Sequence, residues 1–144
     1  LHDGKLTSAH IPAVTRIGRK IADLDWMPDV VLVSDAVRAT ETWGLMEESL
    51  RSETTLVSFH GSLYLAALDA IQDLVGSVAA KASTLMVVGH NPGWERATAT
   101  LVGQEHRMTT CNAAMLTVDA EDWVEALNLE ACWTLEHMLR PKEL

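Results

Sequence analysis

Two stretches of the chain each run an apolar tetrad into residues able to grip a phosphoryl group. In 83–95, Leu85, Met86, Val87 and Val88 lead into Gly89-His90-Asn91-Pro92-Gly93. In 29–42, Val30, Val31, Leu32 and Val33 lead into Ser34-Asp35-Ala36-Val37-Arg38-Ala39-Thr40-Glu41-Thr42. Short apolar runs closed by turn residues read as strands buried on both faces, so His90 sits at the carboxyl end of one strand. Ser34 or Asp35 can cap the helix that follows the other, which places Arg38 near its first turn. In open α/β sheets ligands bind at that carboxyl edge, where helix N-termini offer unpaired N–H groups to anions. An arginine fork and a histidine brought to one such edge suit a tetrahedral oxyanion.

The elements needed to position them alternate along the chain. Residues 11–24 read as a helix with Val14, Ile17, Ile21 and Leu24 on one face, 30–33 as a strand, and 36–50 as a helix turning Trp43, Met46 and Leu50 inward. A strand at 55–59, a helix at 65–80, a strand at 84–88 and a helix at 95–102 stopped by Gly103 follow. Three extended segments, 114–118, 123–127 and 133–138, close the chain. Alternation followed by terminal strands predicts a three-layer α/β/α domain with a mixed, mostly parallel central sheet, and one domain over 1–144.

Composition narrows the function classes. The 144 residues are 48% hydrophobic and 22% charged, enough to bury a core. Eleven basic against 20 acidic residues give a net charge of −9, which argues against nucleic acid as a partner. No apolar run approaches the roughly 20 residues of a membrane span, so no membrane partner is expected and the cytoplasm is the default compartment. Cys111 and Cys132 stand without a Cys-x-x-Cys or a histidine at ligand spacing. They read as ordinary thiols, with neither metal nor cofactor expected.

Val-Gly-His-Asn-Pro-Gly at 88–93, with Ser-Asp-Ala-Val-Arg-Ala-Thr-Glu-Thr at 34–42, resembles the histidine phosphatase superfamily, specifically its small phosphohistidine phosphatase (SixA-type) branch. Leu6-Thr7, Leu63-Tyr64-Leu65-Ala66, and the tail Trp123, Trp133 and 140–144 extend the likeness over nearly the whole chain. The resemblance implies a phosphoglycerate mutase-like fold and a nucleophilic histidine in an Arg-His-Gly or Arg-His-Ala motif on a first strand upstream of Leu6-Thr7. No such motif lies in residues 1–144, and His2 has neither a preceding arginine nor an apolar run before it. The polypeptide is therefore expected to continue upstream.

The resemblance implies a phosphatase acting through a phosphohistidine intermediate, with Arg38 and His90 as catalytic phosphoryl ligands and no metal. Ser34 and Asn91 are candidate substrate contacts, weighed against a helix cap and a turn former. The short chain lacks the capping insertion of the mutases, which favours a phosphorylated protein over a small phosphate ester. A phosphate-binding module without a nucleophile and a small-metabolite phosphatase or mutase are the alternatives. Trp94 is expected at the pocket rim, Tyr64 in packing, and His60 either bordering the crevice or outside it. The missing strand is expected in a gap between the strands at 30–33 and 84–88.

Overall fold

Val30–Ser34 (β1) is buried along its whole length because both faces of the strand are covered. Val31 and Val33 enter one hydrophobic cluster and Val30 and Leu32 the other, as the two-residue period of a strand requires. The computed structural model that shows this describes residues 8, 10–64, 66–78 and 82–144.

The first cluster is built on His10–Asp23 (α1) and Val37–Leu50 (α2), through Val14, Ile17 and Ile21 against Ala39, Trp43, Met46 and Leu50. The second is built on Leu68–Val78 (α3) and Gly93–Val102 (α4), with Ala70, Ile71, Val75 and Leu101. Between them lie β1, Leu56–His60 (β2), Leu85–Val88 (β3), Ala113–Thr117 (β4) and Thr134–Leu139 (β5). Strands β2, β1 and β3 form a parallel sheet in that order, and β4 and β5 form an antiparallel pair. Met115 of β4 and Leu139 of β5 join the first cluster, and Leu116 packs on the second. All five strands therefore occupy the middle layer of a three-layer α/β/α fold with a mixed, mostly parallel sheet.

The expected helices and strands recur within a few residues of their ends, with two corrections. The segment 123–127, expected as a strand, is the short helix Trp123–Ala126 (α5). Asp122 caps it by accepting the Glu125 N–H at 2.8 Å, so a local cap overrides the aromatic and β-branched composition. Helix α3 starts at Leu68, later than expected, with Ala66 and Ala67 non-helical. Residues 65, 79 and 80 of that expected helix, together with Leu6-Thr7, lie outside the described residues. Helix α4 ends as expected at Gly103, whose φ is 83° and whose N–H bonds the Ala99 carbonyl at 2.8 Å.

The sheet is interrupted where no gap was expected. Strands β1 and β3 pair directly, Val33 opposite Val88, so the anticipated space between them does not exist. The break is on the other side of β3. A slot of about 1080 Å³ separates it from β4, lined by Leu85 to Val88 and Ala113 to Thr117 and floored by Val14, Ile17, Ala97 and Leu101. It explains why Leu85, Met86 and Val87 are only half-buried although their composition matches that of β1.

Gly93 fixes the segment that reaches over the site. A Cβ there would overlap the Ala66 carbonyl oxygen, so the backbone of α4 touches that of 66–67 directly. Gly93→Ala is expected to destabilise the fold by about 1–3 kcal/mol or more, because two backbones cannot repack as side chains can. Exposed Gly44 in α2, where an added Cβ meets nothing within 4 Å, is the control. Gly44→Ala should stabilise by about 0.5–1 kcal/mol. Urea unfolding of both variants reads the contrast.

Candidate active site

The parallel pairing of β1 and β3 places both sequence-predicted loops at one sheet edge. Ser34 ends β1 and α2 begins three residues on, while Gly89 and His90 follow β3 and α4 begins at Gly93. Arg38, in the first turn of α2, and His90 both line the slot at this edge. Arg38 is half-buried, and among the described residues no carboxylate pairs with it. A cation held this way without a counter-ion is a ready anion partner.

Ser34 is fully buried, and its side chain faces the histidine. Its Oγ lies 2.8 Å from His90 Nε2 and accepts the Ala36 N–H at 3.3 Å. The N-cap of α2 is Ala36, with no side-chain cap bond, so neither Ser34 nor Asp35 caps the helix in the expected way. The imidazole also meets Tyr64, the two rings standing edge-on with centroids 5.1 Å apart. Tyr64 is thus part of the site and not only packing, because the close approach at Gly93 holds the neighbouring 66–67 backbone there.

Asn91 has both ends of its amide engaged inside the protein. Nδ2 donates to the Met108 carbonyl at 2.9 Å, and Oδ1 accepts the Glu95 N–H at 3.2 Å. Glu95 in turn accepts the Met108 N–H at 2.6 Å. These bonds latch the 107–112 loop onto the start of α4. Asn112 Oδ1 extends the latch, accepting from Thr109 N–H at 2.8 Å and from Arg140 Nη1 at 2.8 Å.

Trp94 lines the slot, as its rim position predicted, and its indole lies so close over Gly89 that a Cβ there would overlap the ring. Its Nε1 is buried without a hydrogen-bond partner among the described residues. Sequence reasoning missed Cys111. With φ at 64° it enters the slot beside Arg38; burial pushes its thiol pKa up and the Arg38 charge partly offsets the rise. No spacing rule marks such a position. His60 stands apart from the slot, its Nε2 2.7 Å from Ser58 Oγ. Among the described residues no group of three or more His, Cys, Asp or Glu side chains could hold a metal ion. No helix of the described residues is long and apolar enough to cross a membrane.

No protein-family model matches the chain. A relative from Arabidopsis thaliana, the uncharacterized chloroplastic protein At3g52155, is 32% identical over 150 residues, which cover 97% of this chain and 69% of the relative. Among solved structures, one from Nakamurella multipartitia assigned as phosphohistidine phosphatase SixA superposes with a TM-score of 0.77 at 24% identity, covering 95% of this chain and 84% of that one. Its counterpart from Agrobacterium tumefaciens gives a TM-score of 0.75 at 22% identity, over 95% and 83% of the two chains. The protein histidine phosphatase SixA complexed with tungstate gives 0.74 at 17%, over 96% and 85%. The chain therefore has the fold of the histidine phosphatase superfamily in its SixA-type form and belongs to one family with the Arabidopsis protein.

Proposed function

We propose that this protein is a phosphatase that removes a phosphoryl group from a phosphorylated protein, phosphohistidine being the leading substrate, through a phosphohistidine intermediate of its own. The observation that supports the reading is that Arg38 and His90 both line one slot and follow the carboxyl ends of two paired parallel strands. The tungstate bound by one SixA neighbour supports it, since tungstate is a tetrahedral oxyanion like phosphate. The chloroplastic relative supports a plastid over the cytoplasm as the compartment.

In this reading the nucleophilic histidine stands on a strand that fills the slot between β3 and β4, supplied by polypeptide outside residues 1–144. A strand parallel to β3 would deliver its carboxyl end beside His90. Its imidazole nitrogen attacks phosphorus in line, the N–P bond forming as the bond to the leaving group breaks. Water then attacks the phosphohistidine, returning the histidine and releasing phosphate. Arg38 and His90 bind the equatorial oxygens, where negative charge spreads in the transition state.

The test is hydrolysis of an aryl phosphate by the full-length protein. Turnover should be unchanged by a chelator, and a brief incubation with labelled substrate should trap an acid-labile, base-stable phosphoenzyme. Chelator-sensitive activity sinks the metal-free mechanism. Tight vanadate binding with no turnover at all would make the protein a phosphate-binding module instead.

A further inference from the structure

The hydroxyl proton of Ser34 has to go somewhere. The residue is fully buried, so water cannot take it, and its Oγ already accepts the Ala36 N–H. Among the described residues the one acceptor within reach is His90 Nε2, at 2.8 Å. A buried hydroxyl that donates to nothing is strongly disfavoured, so the bond runs from Ser34 to the ring. Nε2 must then be the unprotonated nitrogen, and the ring proton of a neutral imidazole lies on Nδ1.

We propose that Ser34 is a positioning residue rather than a phosphate ligand. It holds His90 as the neutral Nδ1–H tautomer in the unliganded protein, so that the ring enters the reaction as a neutral donor. Protonating Nε2 would reverse the bond and strand the Ser34 hydroxyl proton in the core, so Ser34 opposes the imidazolium. Arg38 from α2 shares the slot with the ring and repels a second cation there.

The tautomer follows from Ser34 alone, and its bearing on turnover rests on the phosphatase reading above. Long-range proton–nitrogen correlation on the full-length protein with labelled histidine distinguishes the tautomers directly. The wild type should show His90 Nε2 as the unprotonated nitrogen. Ser34→Ala should give a mixture of tautomers and raise the ring's titration midpoint. Turnover should fall up to about 100-fold through lost orientation, with KM little changed. Ser34→Cys, which keeps a weak donor, should recover part of each effect. A wild-type ring protonated on Nε2 overturns the proposal without any variant, and so does Ser34→Ala leaving the tautomer and midpoint unaltered. If the tautomer is as stated and no phosphatase activity exists, the phosphatase reading fails and the role of Ser34 stands.

Discussion

Replacing Arg38 or His90 by alanine in the full-length protein is expected to lower turnover by about 10²–10³-fold each, the loss typical of a donor acting on transition-state charge. Stability should respond differently in the two variants. Arg38 has no ion pair among the described residues and is half-buried, so its removal takes little from the folded state. His90→Ala strands the Ser34 hydroxyl in the core and should destabilise by about 1–3 kcal/mol, which leaves the variant folded if the domain has ordinary stability. His60→Ala should leave turnover nearly intact, because that ring bonds Ser58 and does not line the slot. Steady-state hydrolysis beside urea unfolding separates the two effects. The assignment fails if either alanine variant retains wild-type kcat/KM while folded.

Much of this architecture is legible in the chain because it is written locally. The tetrads 30–33 and 85–88 declare strands by composition, and the Gly/Pro turn after Val88 declares where β3 ends. Helix α2 can be read from Trp43, Met46 and Leu50 recurring on one face. What the sequence conceals is nonlocal. That β3 pairs with β1 on one side and faces a slot on the other depends on strand order, which no local pattern encodes, so the gap was expected on the wrong side of β3. Ser34 has the composition of a helix cap. Only the fold shows that its partner is His90, 56 positions along the chain. Asn91 likewise reads as a contact or a turn, and its amide turns out to latch a loop 17 residues away. Trp123 and Val124 mislead in the opposite sense, since a local Asp122 cap outweighs their preference for extended backbone.

A strand occupying the slot is expected to carry the largest effect of all. Protein interiors are packed to crystal-like density, and the slot of about 1080 Å³ between two sheet edges and two apolar clusters is wide enough to take polypeptide. Among the described residues β3 pairs on one side only and β4 pairs only with β5, so each turns a row of backbone donors and acceptors toward the slot, costing about 1–3 kcal/mol for each group buried unsatisfied. The Trp94 indole N–H, buried without a partner among the described residues, adds one more donor awaiting an acceptor there. In the full-length protein the slot-side amides of β3 and β4 should be protected from hydrogen exchange, and Trp94 Nε1 should gain an acceptor. The polypeptide of residues 1–144 alone should exchange quickly at those amides and hydrolyse an aryl phosphate slower by about 10⁴-fold or more, the scale of losing a nucleophile. Equal activity in the two forms would place the nucleophile within residues 1–144, and slow exchange in both would mean that the slot closes by another route.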